Sequence, residues 1–128
     1  MKAYITIFLS LVALDSVWLG FISNSFYQKH LGFIFTDKFV LWPAVIFYLL
    51  FAYGILIFVL TPALEMKSIW VALFRGAILG LIAYGTYDLT NQATISKWPI
   101  IVTVVDIAWG TFVTSATSVI AYYLISKI

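Results

Sequence analysis

Four ionisable residues stand within or beside long apolar runs of this chain: Asp15, Arg75, Asp88 and Asp106. An aspartate at the centre of a bilayer costs about 2.5–3.5 kcal/mol on insertion scales, so each needs a partner or a task. Two of the acids share a local pattern. Asp15-Ser-Val-Trp18-Leu-Gly20 and Asp106-Ile-Ala-Trp109-Gly110 both place a tryptophan three residues after the aspartate. In a helix that spacing puts the two side chains on one face. An indole N–H can donate to a carboxylate, and glycine lets another helix approach closely. Either tryptophan could equally be bundle filling. Tyr84, Tyr87, Thr90, Asn91 and Thr94 add polar groups nearby. Asn91 and Thr94 read as a cap, a lid or water-facing residues just beyond the third helix. Asp88 reads either as an interfacial loop acid or as a third carboxylate of a site.

Two carboxylates held close in a low dielectric cannot both be charged cheaply, so a proton shared between them is expected. Asp15 and Asp106 are the pair expected to share it. Such a cluster suits binding or translocation of a proton, a cation or a small polar solute, which ranks first here. Four helices are few for a transport path, so that reading implies a homo-oligomer. The same pair suits a metal-independent, intramembrane lipid-modifying enzyme in which the aspartates act as acid and base. A third reading is a structural or assembly protein, with the aspartates only fixing helix register. Other chemistry is excluded. There are no cysteines, hence no disulfide, thiolate ligand or thiol nucleophile. The single histidine, His30, rules out multi-histidine metal sites, and no cofactor is expected. The lysines are scattered and the net charge is +2, so nucleic acid is not an expected partner. Arg75 reads as a topology anchor whose stem snorkels to the interface, with Glu65 a possible partner.

The elements that position these residues follow from composition. The 128 residues are 64% hydrophobic and 9% charged. A soluble domain this short could not hide so much apolar surface, so lipid is the expected solvent. Four apolar stretches run from about residue 3 to 22, 42 to 60, 69 to 87 and 99 to 125. Each is long enough to cross a hydrocarbon core of about 30 Å as a helix. No alternation suggests a barrel. The expected fold is therefore an all-α, four-transmembrane-helix bundle forming one domain over residues 1–128. The polar-aromatic segment 23–39, with Asn24, His30, Asp37 and Lys38, reads as a loop or short helix lying in the interface. Residues 61–68 and 88–98 read as connecting turns. Trp42-Pro43 and Trp98-Pro99 mark helix starts on one side of the membrane. Each half is thus a helix, a polar loop, Trp-Pro and a helix, a hint of a repeat that goes no further.

Counting along the helices puts Asp15 and Asp106 both about 10–12 Å below that same surface, with Asp88 near it. Two stripes of small residues, Ala72, Gly76, Gly80 and Gly110, Thr114, Ser118, allow close helix contact within or between chains. The lysines nearly balance across the membrane. Arg75 and the amino terminus tip the expectation toward both termini in the cytoplasm, in a cell inner membrane. Asp15 within the first apolar run, with no small-residue cleavage site after it, argues for a retained helix rather than a signal peptide.

The runs LDSVWLG at Leu14–Gly20, YDLTNQAT at Tyr87–Thr94 and VDIAWG at Val105–Gly110 occur here in that order. Together they resemble a family of small bacterial four-helix membrane proteins known as domain of unknown function 2177. The resemblance covers essentially the whole chain. It implies the same topology and marks Asp15, Trp18, Asp88, Asn91, Asp106 and Trp109 as the motif residues. It implies no particular reaction or substrate.

Overall fold

The computed structural model describes residues 1–34 and 40–127, and within these the side chains of 22–24 are left aside. Asp37 and Lys38, assigned above to the interfacial segment, lie outside the described residues. The described part is helical throughout: α1 (Lys2–Trp18), α2 (Asn24–Leu31), α3 (Leu41–Ile55), α4 (Thr61–Glu65), α5 (Ile69–Thr94) and α6 (Ile100–Lys127). Two π-helical turns, Leu19–Ser23 and Leu56–Leu60, weld α1 to α2 and α3 to α4. Four helices are long and apolar enough to cross a membrane: Lys2–Phe21, Leu41–Glu65, Ile69–Thr94 and Ile100–Lys127.

Three boundaries differ from the sequence reading. The first helix does not end near Ile22. It runs on through the π turn, whose extra residue rotates α2 about the helix axis, and Leu31 becomes buried against Trp98 and Val102. The second continues to Glu65, past Pro62. Proline has no N–H, so it frees the carbonyl four residues back, which is that of Phe58. The Arg75 guanidinium donates to that oxygen at 3.3 Å, and this bond replaces the Glu65 partnership suggested above. The third helix runs to Thr94 rather than Tyr87. Along its polar end the threonine hydroxyls are satisfied within the helix, Thr86 on Ile82 at 2.6 Å and Thr94 on Thr90 at 2.7 Å.

In cross-section the helices follow the order α3, α1, α6, α5. The α5–α6 contact is the most extensive, α1 packs on both α6 and α3, and α5 meets the second span through Leu56–Leu60 and α4. The core gathers Ile7 and Leu11 of α1, Phe51 and Ile55 of α3, Val59, Leu60, and Val113 and Ala121 of α6. The small-residue stripes are used within the chain. Ala72, Gly76 and Gly80 are buried on α5, and a side-chain carbon added to Gly76 would sit 2.8 Å from the Ser118 hydroxyl. The Ser115 hydroxyl donates to the Leu73 carbonyl at 2.8 Å across the same seam. Polarity is inverted relative to a soluble fold. Leu9, Phe21, Leu50, Phe58, Phe74 and Ile82 face outward, while Asp15, Asp88, Thr114, Thr117 and Ser118 are buried. That distribution is stable only where the surroundings are themselves apolar.

Candidate functional site

Asp15 is buried on α1. The indole of Trp109, on α6, donates to one of its carboxylate oxygens at 2.8 Å, and the Tyr48 hydroxyl, on α3, donates to the other. Bonds to a charged acceptor contribute about 1.5–3 kcal/mol each. Two of them offset the roughly 3 kcal/mol that the carboxylate costs in the bilayer. Asp15 is thus fixed by three helices.

Asp106, on α6, accepts from the Tyr27 hydroxyl of α2. The Trp18 and Trp109 rings stack with centroids 4.4 Å apart and planes 10° from parallel. Trp109 therefore serves the aspartate of the other motif. Each aspartate is served not by its own tryptophan, three residues on, but by groups from other helices. At one turn's separation the aspartate and its tryptophan share a face, yet that face points into the bundle, where the long indole reaches the neighbouring helix first. Burial pushes the Tyr27 phenol well above its ordinary range, and the adjacent Asp106 pushes the same way, so Tyr27 remains a donor.

Asp88 is fully buried on α5, not in a loop. Among the described residues, neither of its carboxyl oxygens meets an N–H or O–H donor. Asp106 lies across the seam on α6, the helix that α5 packs against most extensively. A carboxyl buried without a donor is held most cheaply in its protonated form. The sequence pointed to Asp15 with Asp106 as the pair; Asp15 has two donors of its own, whereas Asp88 has none among the described residues.

Between these groups lies a cavity of about 350 Å³, lined by Asp15 and Asp106, the rings of Trp18 and Trp109, and the phenols of Tyr27, Tyr48, Tyr84 and Tyr87 among others. No lysine, arginine or histidine lines it among the described residues. Nor do three His, Asp or Glu side chains of those residues gather at metal-ligand spacing. Tyr84 lies flat over Gly110, where any side-chain carbon would run into its ring. Asn91 stands off the cavity, one turn beyond Tyr87 on α5. Below it, Gln92 donates to the Trp98 carbonyl at 2.7 Å, Trp98 donates to Thr103 at 3.1 Å, and Thr103 donates to Gln92 at 2.8 Å. This ring of bonds ties the 95–99 connection down beside the site. Arg75 lies far from the cavity, bonded to the Phe58 carbonyl.

Tyr27 and Tyr48 are site residues that the sequence reading missed. Tyr48 had a usable signal: it stands six residues after Trp42, hence at about the depth of Asp15 and Asp106. Tyr27 had none, because only the π turn brings α2 back over the bundle.

No curated protein and no solved structure matches the chain. The family model described as predicted membrane protein, DUF2177, matches residues 1–123, and with three acidic motifs gathered in one half of its four-helix bundle the chain belongs to that family.

Proposed function

We propose that the cavity binds a cationic group, taking it in exchange for the proton shared by Asp88 and Asp106. The observation that carries this reading is Asp88, fully buried and without a donor among the described residues, on the helix packed most extensively against α6, whose Asp106 lines the cavity. A carboxyl pair of this kind holds one proton and one negative charge, and a cation arriving at Asp106 displaces the proton to water. Aromatic faces and carboxylates with no basic residue beside them favour a positive ligand. Asp15, held by two donors, sets the local field and the helix register. Translocation of the bound group, and with it proton coupling, is the extension of this reading. A metal-independent lipid-modifying enzyme would use the same carboxyl pair as acid and base.

The test is proton release. Purified protein in weakly buffered detergent is titrated with tetramethylammonium chloride while a dye follows pH. Saturable release is expected from the unaltered chain and none from Asp106→Asn. Release that persists in Asp106→Asn, or no release at all, rejects the proposal.

The orientation belongs to the same reading: both termini in the cytoplasm of an inner membrane, set by Lys2, Lys67, Arg75 and Lys127. Because the chain has no cysteine, Lys67→Cys and Lys97→Cys can each be labelled with an impermeant maleimide on intact cells. Labelling at Lys97→Cys alone is expected, and labelling at Lys67→Cys alone inverts the assignment.

A further inference from the structure

A second recess, of about 560 Å³, adjoins the cavity and shares Phe47, Tyr84, Tyr87 and Asp106 with it. Its other walls are Pro43 and Ala44 of α3 and Ala83 of α5. It exists because α3 and α5 meet only toward one end. The second span packs on α5 through Leu56–Leu60 and α4, and Phe51 meets the Tyr84 ring at 6.2 Å. Nearer Leu41 the two helices diverge. Pro43, Phe47 and Tyr87, which bound the gap, are all exposed on the outer surface of the bundle, a surface that faces lipid. The recess is apolar except where it ends, at Asp106 and the tyrosine hydroxyls. Its volume falls in the range of about 300–1,000 Å³ typical of ligand pockets.

We propose that the occupant of the site is an amphiphile with an ammonium head and an alkyl chain, entering sideways from the membrane between α3 and α5. The proposal rests on the cation site above and names its ligand class. The head lies against Asp106 beside the stacked Trp18–Trp109 rings, where carboxylate and aromatic faces together suit an ammonium group. The chain lies in the recess along Ala44, Phe47 and Ala83 and continues into lipid. The charge of the site selects against a phosphate next to the head. A phosphodiester there would stand beside carboxylates, and no lysine, arginine or histidine borders either recess among the described residues.

The experiment uses tryptophan fluorescence in phosphatidylcholine nanodiscs. Trp42 and Trp70 are two-thirds exposed, so a Trp42→Phe, Trp70→Phe background leaves Trp18, Trp98 and Trp109 as reporters. The probe is an alkyltrimethylammonium brominated on its chain near the head. Expected is quenching that saturates at low mole fraction and is reversed by the unbrominated compound. An alkyl phosphate of equal chain length, brominated alike, gives only weak, linear quenching. Ala83→Phe and, separately, Ala44→Phe fill the recess and weaken amphiphile binding about tenfold or more. Both still release protons with tetramethylammonium, which shows that they are folded. If the filled variants bind the amphiphile unchanged, or the phosphate quenches as saturably as the ammonium, the inference is overturned while the cation site stands. If tetramethylammonium releases no proton and the amphiphile shows no saturable quenching, both readings fall.

Discussion

Asp15 and Asp88 are both buried aspartates, yet they sit in opposite situations. Asp15 accepts from two donors, and Asp88 from none among the described residues. The same conservative change therefore has opposite consequences. Asp15→Asn removes a charged acceptor and turns an amide N–H toward a donor, which costs about 1–2 kcal/mol on the scale of membrane hydrogen bonds. Asp88→Asn puts an amide donor opposite Asp106 and needs no shared proton, so stability is unchanged or raised while proton release is abolished. Thermal unfolding in detergent separates the two: a lowered Tm in Asp15→Asn and none in Asp88→Asn is expected. Equal losses would mean that Asp88 has a structural donor after all. The sequence shows which residues are costly in lipid, because cost depends on residue type and depth. It does not show who serves whom. That Trp109 bonds Asp15 and Tyr27 bonds Asp106 depends on the rotation of whole helices about their axes.

The helices themselves are largely legible, because a run of about twenty apolar residues has few alternatives in a bilayer. What hydropathy misreads is where a helix ends. It measures contact with lipid, whereas a helix ends where its backbone bonds run out. After Asp88 the chain turns polar, and Thr90, Asn91, Gln92 and Thr94 look like a loop, yet the Gln92–Trp98–Thr103 ring anchors the end of a continuing α5. That extension is what buries Asp88. The π turn at Leu19–Ser23 is likewise invisible to composition, and it alone brings Tyr27 to Asp106. The glycine stripes, by contrast, are correctly readable as close-contact faces. At Gly110 the contact is with Tyr84, which also walls the cavity. Gly110→Ala must push that ring aside, and overpacking of this kind costs about 1–3 kcal/mol. The expected outcome is a lowered Tm together with altered fluorescence of the neighbouring Trp109. Unchanged values for both would show that the α5–α6 seam has slack.

At the scale of the molecule, the bundle is closed along one half by α4, Leu56–Leu60 and the Arg75–Phe58 bond, and open along the other between α3 and α5. All three aspartates belong to the open half. This arrangement explains how a chain of 128 residues can carry a site at all: all four spans and the α2 segment contribute residues to the cavity wall. Counting along the helices can put acids at one level, but it cannot find the gap, which exists only because α3 and α5 fail to pack. The proposed function depends on one proton held between Asp88 and Asp106. Infrared spectroscopy of protein in lipid, with isotope-labelled aspartate, reads it directly through the C=O stretch of a protonated carboxyl. One such band is expected at about neutral pH, where a solvated aspartate is fully ionised. It should be retained in Asp15→Asn, lost in Asp88→Asn and Asp106→Asn, and bleached by tetramethylammonium. If the band is missing at that pH, or is lost on changing Asp15 rather than Asp88, the carboxyl pair does not hold the proton and the cation-for-proton exchange is contradicted.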